Sequence, residues 1–370
     1  MLRISNFDDW IDYFYGWQKD IGLDAPEFSE YKFEAKYGQL LVNEIEFGDY
    51  KGQLRWKSIM HIPDQRIRDA AQNLIVYQGD TEFASVEQQR HLFETAPSRY
   101  DYLSLVRVMT EEMRHGWQMS HLLVSQFGRS GRIEAQKLLE RRAFTDDRLL
   151  GAFNEIVGNW LDFYTYTQFV DRDGKFQLTM LSFSGFEPLA QSMLPMLKEE
   201  SYHLGTGNNG LRRIVQAGKI PTEIIQRYYN KWLPTSFDLF GTDHSSSAQW
   251  AYVWGLKGRY NERDVADQSA DKEKLNDNAR QLYREEAVKL TDLLNKLVPE
   301  DQPKLRVPDI RFNRQIGQYK GQYWTVEGKQ LTKEEYEKYL PTVLPAEEDK
   351  QKLASIMKEK DWITPKKEEL

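Results

Sequence analysis

Two short stretches of this chain pair a carboxylate with an imidazole three positions apart: Glu112 with His115, and Glu200 with His203. Together they use two of the six histidines, and both lie in sequence that reads as helix. On a helix, residues three apart share a face, so each pair can grip one metal ion. Two such pairs, with one further acid from each of two other helices, form the four-helix cage for two iron or manganese ions. Around the first pair, Leu105, Val108, Met109 and Met119 fall at spacings of three and four; Met193, Met196 and Leu204 do so around the second. Both pairs thus lie on the stripe that a helix normally buries. Burying carboxylate and imidazole groups is costly, and metal coordination supplies the compensation.

The neighbouring acids leave alternatives. Glu111 and Glu199 could also reach the histidines, but the three-residue spacing keeps the two motifs identical, so Glu112 and Glu200 are preferred as ligands. Glu111 and Glu199 are then supporting or surface acids. The helix before the first pair must supply one carboxylate. Glu82 follows Leu74 and Gln78 and precedes Val86 at helical spacing, whereas Asp80 faces elsewhere. Gln78, one turn before Glu82, could hydrogen-bond a ligand, coordinate weakly, or be an ordinary surface amide. The fourth carboxylate is expected from Asp171, which continues the stripe Trp160, Phe163, Tyr164, Thr167 and Val170; Asp173, before Gly174, reads as a helix-stopping residue. His91 and His121 lie on helices without a paired acid, and His61 and His244 fall in loops.

The elements that must position these groups read as long helices. Helical periodicity covers 64–78, then 83–93, which either continues that helix or follows a slight break at Gly79, and 98–127, opened by Ser98. It continues over 133–142, over 149–170 and 175–184 bracketing Asp171–Gly174, and over 189–217 with a kink at Pro195. Two further helices span 222–240 and 276–298. Residues 306–323 suggest a hairpin, and the last 25 a charged helix or tail. The fold class expected is all-α: a four-helix bundle with additional helices, an aromatic N-terminal cap over 1–62, the helical domain over 63–300, and a small C-terminal extension over 301–370. The chain has 370 residues, 40% hydrophobic and 13% aromatic, a composition that folds into a large core. A net charge of -7 gives no footprint for nucleic acid. No apolar run is long enough to span a bilayer, and the first residues lack a signal peptide's apolar core, so a cytoplasmic location is expected. With no cysteine, the chain can hold neither thiolate metal sites nor cysteine-ligated iron–sulfur clusters. It is also expected to carry no nucleotide fingerprint of the Gly-x-Gly-x-x-Gly kind, so electrons should arrive from a partner.

Several segments together resemble one family. They are Gln78-Gly-Asp-Thr-Glu82, Ala84-Ser-Val-Glu-Gln-Gln-Arg-His91, Glu111-Glu-Met-Arg-His115, Gly151-Ala-Phe-Asn-Glu155, Phe169-Val-Asp-Arg-Asp-Gly-Lys-Phe-Gln-Leu178, Ser184-Gly-Phe-Glu-Pro-Leu189 and Glu199-Glu-Ser-Tyr-His203, with looser similarity at Gly255-Leu-Lys-Gly-Arg259. The pattern resembles the oxygenase components of benzoyl-CoA 2,3-epoxidases, in the phenylacetate-catabolism branch of the ferritin-like di-iron proteins. That resemblance implies Glu82, Glu112, His115, Asp171, Glu200 and His203 as metal ligands, with Gln78 beside them. Departures occur at Gly151–Trp160, where those enzymes carry a proline-containing segment, and at Met113, Gly116 and Ser201 near the ligands. They leave the cage intact but touch the pocket that selects the acyl group.

The function implied is a monooxygenase with two iron ions (Fe2+/Fe3+) and O2 as co-substrate, acting as an epoxidase on the ring of an aryl-CoA thioester, benzoyl-CoA foremost. NADPH, FAD and iron–sulfur clusters would enter only through a partner reductase; a homo-oligomer is compatible with this picture. Met109, Trp117, Trp160 and Phe163 are candidates to line a pocket for a planar substrate, or else pack the core. Arg141, Arg142, Lys198, Arg212 and Arg213 are available for coenzyme A phosphates. The alternatives are a di-iron hydroxylase, epoxidase or N-oxygenase acting on another acyl-CoA, a free arene or a carrier-bound group. More remote is a ferritin-like metal-storage protein, since storage proteins are much shorter.

Overall fold

The computed structural model describes residues 3–243, 246–264 and 274–366. Twelve α-helices occur among them: α1 Phe7–Asp20, α2 Pro26–Ser29, α3 Gln65–Gln89, α4 Arg99–Gln126, α5 Gly128–Glu140, α6 Trp160–Ser182, α7 Glu187–Ala217, α8 Thr222–Leu239, α9 Ser246–Val253, α10 Leu275–Asn295, α11 Lys333–Val343 and α12 Glu347–Ile356. Short 3-10 turns and isolated β-bridges accompany them. The all-α reading holds. Its centre is a bundle of α3, α4, α6 and α7, in which α3 pairs with α4, α6 with α7, and α4 with α7.

Caps start these helices where their orphan N–H groups need acceptors. Asp64 accepts from Arg66 N at α3, Ser98 from Asp101 N at α4, and Asn159 from Asp162 N at α6. One open alternative is decided, and two expectations need correction. Gly79 does not break α3, which runs through it with Leu138 and Met119 packed against that face. Residues 149–159 are a short 3-10 turn and extended chain; α6 begins only at Trp160 and continues through Asp171–Gly174, so Asp173 stops no helix. The hairpin over 306–323 is absent: that segment is turns and a single 3-10 turn at Gly317–Tyr319, and one bridge, Trp324 to Gln330, follows it. Glycine and proline density there set turns, not strand pairing. Of the final residues, Glu347–Ile356 form α12, and 367–370 lie outside the described residues.

Pro195 removes the N–H that would bond the Gln191 carbonyl, and the Gly38 N–H takes that acceptor instead at 2.8 Å. The N-terminal segment therefore repairs the helix that carries the second motif. It also packs on the first: Trp10, Phe14 and Phe33 surround Trp117 at ring separations of 5.3, 5.2 and 5.6 Å. A further correction concerns Gly205-Thr-Gly-Asn-Asn-Gly210, which does match Gly-x-Gly-x-x-Gly as a string. It lies inside α7 with no strand before it, so no phosphate-cradling turn exists. A Cβ at Gly207 would come within 2.7 Å of the Gln168 backbone, and one at Gly210 within 2.0 Å of the Tyr164 ring. These glycines bring α6 and α7 together.

Candidate metal centre

Each of the four bundle helices turns at least one acid inward: Glu82 from α3, Glu112 from α4, Asp171 from α6 and Glu200 from α7, all 6% exposed or less. His115 and His203 are fully buried between them, their ring centroids 5.8 Å apart. Glu82, Glu112 and His115 offer ligand atoms within 4.8 Å of one another, and so do Glu112, Glu200 and His203. Glu112 belongs to both groups and joins them. His115 Nδ1 is 3.3 Å from Glu82 and 3.9 Å from Glu112, and His203 Nδ1 is 3.3 Å from Glu112 and 3.6 Å from Glu200. Gln78 donates to Glu82 Oε1 at 2.5 Å and so fixes that carboxylate from one turn away.

Asp171 stands outside both tight groups but faces the same space. Burial first, then repulsion from Glu200, pushes its carboxyl well above the usual range, and Oδ2 has no hydrogen-bond partner. Asp173 lines the same cavity but accepts from Gln177 Nε2 at 3.0 Å; burial raises it to about 7. Of the two, Asp171 is the acid that senses the centre.

The outer sides of the histidines form a crossed brace. Glu199, beside Glu200 on α7, accepts from His115 Nε2 on α4 at 2.9 Å; Glu111, beside Glu112 on α4, accepts from His203 Nε2 on α7 at 3.1 Å. Each motif thus holds the other's imidazole. Each outer acid is in turn held by a guanidinium: Arg114 donates from Nε to Glu199 at 2.8 Å, and Arg107 donates to Glu111 at 2.9 Å. The two arginines differ, since the Arg114 side chain is fully buried while Arg107 is 52% exposed and stacks on Tyr202. With Nε2 committed as donor, Nδ1 of both rings is left to face the four carboxylates, the arrangement that orients a metal-binding histidine.

The donor set fits two divalent cations. Four buried carboxylates carry four negative charges when ionised, and two such ions neutralise them. Without cations two of the carboxylates, Glu112 and Asp171, resist ionisation: burial and then repulsion from Glu82 drive Glu112 far up, while the nearby carboxylates, chiefly Glu200, keep His203 protonated despite its burial. Glu200 Oε2 joins Asp171 Oδ2 as a buried oxygen without a hydrogen-bond partner. A mixed nitrogen and carboxylate set with two histidines suits iron or manganese.

A cavity of about 330 Å³ opens directly on these groups. Gln78, Glu82, Glu112, Asp171 and Glu200 line its inner part, and Tyr77, Phe153, Tyr166 and Phe240 supply its aromatic surface. Met109, Trp117, Trp160 and Phe163 are absent from that lining and pack the core instead. Phe153 and Leu150 come from the segment just before α6, so the aromatic wall arises partly outside the regular helices. The cations proposed for phosphates do not rim the cavity either. Arg141 pairs with Asp80 and Glu134, Arg142 lies near Glu87, Arg213 pairs with Asp101, Lys198 is exposed elsewhere, and Arg212 lines a separate groove. Of the remaining histidines, His121 contacts Tyr37, His91 and His61 sit in 3-10 turns, and His244 lies outside the described residues.

Comparison with known proteins agrees with this geometry. The family model described as "Phenylacetic acid catabolic protein" matches residues 60–323. The chain belongs to that family. It is similar to Benzoyl-CoA oxygenase component B of Aromatoleum evansii, at 36% identity over 359 residues, 85% of this chain and 75% of that one. A more distant likeness, 23% identity over 187 residues and about half of each chain, links it to one of the subunits of 1,2-phenylacetyl-CoA epoxidase from Escherichia coli (strain K12). As a member of this family the chain is a di-iron enzyme of the ferritin-like oxygenase type, and among its described residues no helix is long and apolar enough to cross a membrane.

Proposed function

We propose that the chain is the oxygenase component of an aryl-CoA monooxygenase, with benzoyl-CoA as its foremost substrate and ring epoxidation as its reaction. In this reading Glu82, Glu112, His115, Asp171, Glu200 and His203 hold two iron ions, and Gln78 steadies Glu82. The iron pair, when bound, supplies reductive activation of O2: one oxygen atom enters the ring, the other leaves as water, and two electrons arrive from outside. The chain's own residues orient and enclose. Glu111 and Glu199 keep both imidazole Nδ1 atoms turned inward, and Tyr77, Phe153 and Phe240 provide apolar surface against which a planar ring can lie away from water. With no cysteine in the chain, cysteine-ligated iron–sulfur clusters would have to come from another protein, and this reading assigns flavin and NADPH to the same reductase.

The observation that carries this reading is the continuity between the metal-binding acids and an aromatic-walled cavity of about 330 Å³, which offers apolar surface for an aryl group beside them. The 36% identity to a chain named benzoyl-CoA oxygenase component B supports the choice of acyl group. The test is turnover with O2 and a flavin/iron–sulfur reductase, comparing benzoyl-CoA, phenylacetyl-CoA and the two free acids, with products identified by mass. Oxygen insertion into benzoyl-CoA is expected. Turnover of phenylacetyl-CoA alone would shift the acyl assignment, and turnover of a free acid but neither thioester would remove coenzyme A from the substrate.

A further inference from the structure

One side chain of the cavity has no part in the metal centre. Lys257, from the segment after α9, is the one basic residue among the described residues that line the cavity. Its ammonium donates to Gln177 Oε1 at 2.7 Å, and Gln177 in turn donates to Asp173. No carboxylate among the described residues makes a contact ion pair with it. An ammonium has three donors, so two remain for other acceptors. Burial brings its pKa down to about 8, with Asp173 and Asp243 partly opposing that shift. Such a partly desolvated donor is costly unless an acceptor meets it. Nearby, Asn276 is 4% exposed, lines the same cavity and leaves Oδ1 without a partner.

The position along α6 sets the scale. Asp171, Gly174 and Gln177 succeed one another on the cavity face of that helix. Six residues at 1.5 Å each put Gln177 about 9 Å along the axis from Asp171. Gly174 keeps the wall between them low: a Cβ there would lie 3.7 Å from Glu200 Oε1. That separation leaves room for an aromatic ring between Asp171 and the lysine that Gln177 holds. The group attached to that ring would meet the ammonium.

We infer that Lys257, held by Gln177, is a substrate-orienting residue that donates a hydrogen bond to the carbonyl oxygen of an aryl-acyl substrate and so sets how far the ring reaches toward the metal centre. This rests on the aryl-CoA reading above. A bare arene would leave the ammonium unmatched, whereas a thioester carbonyl or a free carboxylate would satisfy it; the inference commits to the thioester. The lysine touches substrate and not the metal ligands, so its replacement should leave iron in place.

The experiment is equilibrium binding to the iron-loaded protein without O2, using benzoyl-CoA, S-benzyl-CoA (the thioether that lacks the carbonyl), benzoate and free coenzyme A. The wild type should prefer benzoyl-CoA to S-benzyl-CoA by about tenfold or more, the worth of one charge-assisted hydrogen bond. In Lys257→Met this preference should fall to about twofold or less, with iron content and free coenzyme A affinity unchanged. Lys257→Arg, which keeps a charged donor, should retain part of it and provides the second variant if Lys257→Met does not fold. A preference that survives in Lys257→Met, or is lost equally in Lys257→Met and Lys257→Arg, would overturn the role of the lysine while leaving the aryl-CoA reading intact. Wild-type protein that binds benzoate but holds benzoyl-CoA no more tightly than free coenzyme A would overturn that reading, and the inference with it.

Discussion

Removing either outer acid of the crossed brace should cost different amounts on the two sides of the centre. In Glu199→Ala, His115 loses the acceptor at 2.9 Å and Arg114, fully buried, loses its carboxylate partner. Arg114 Nη1 already lacks a hydrogen-bond partner, so the guanidinium would remain buried with little compensation. Breaking a buried pair in this way costs about 3–5 kcal/mol. In Glu111→Ala, His203 likewise loses an acceptor, but Arg107 is 52% exposed and solvent takes over its charge. That pair is worth about 0–1 kcal/mol, to which the imidazole bond adds about 0.5–1.5 kcal/mol. The imidazole bond is lost in both variants and cancels, so the expected difference is roughly 2–5 kcal/mol, with Glu199→Ala the more damaging. Chemical denaturation of the iron-free proteins measures it directly. Iron affinity should fall by a comparable factor in both variants, about 10–100-fold, since each loses the group that orients one histidine. Equal stability losses would refute the burial argument, and unchanged iron affinity in both would refute the brace.

Further expectations follow from individual groups. Glu112 joins both ligand groups, so Glu112→Ala should lower bound iron at both positions, whereas Glu82→Ala should spare the half formed with Glu200 and His203; iron analysis beside Mössbauer spectra distinguishes these outcomes. Gly174→Ala should raise helix stability by up to about 1 kcal/mol while its methyl narrows the cavity beside Glu200, so a higher thermal midpoint with slower reductase-coupled turnover is expected; unaltered turnover would show that the wall there is not used. Lys257 binds its proton less readily in the folded chain, at about 8, than in the unfolded one. The unfolded state therefore holds more protons between about pH 8 and 10.5, and wild-type stability relative to Lys257→Met should rise with pH across that window. Parallel pH profiles of the iron-free proteins would contradict it. Finally, the chain should show no steady turnover with NADPH alone and gain it with the reductase.

Much of the centre was legible because its chemistry is periodic. Glu112, His115, Glu200 and His203 repeat one spacing on stripes that prove buried, and Glu82 follows Gln78 by the turn that lets the amide hold it. The start of α6 was less readable. From Trp160 to Asp173 every residue is buried, since α7 and α8 both cover the helix, so no polar face marks its ends. The crossed brace was visible only as an ambiguity. Glu111 and Glu199 precede both motifs, but their partners are on the opposite helix, a relation that spacing within one helix cannot express. The cavity wall was misjudged for a similar reason. Trp117 has the right composition for a substrate pocket, yet the N-terminal aromatics claim it, and the lining comes from Phe153 and Phe240 on other segments. Lys257 stood in a recognisable segment with nothing in the sequence to aim it at the centre.

The most direct test is isotope labelling during a single turnover. Iron-loaded protein, reduced by its reductase and supplied with benzoyl-CoA, would react with 18O2, and the coenzyme A-bound product would be weighed before any later step. Incorporation of one 18O atom into the acyl ring is the expected result, with the loss of that product in His203→Ala tying it to the centre. A product without 18O, or one carrying two atoms from the same O2, would contradict monooxygenation at this site.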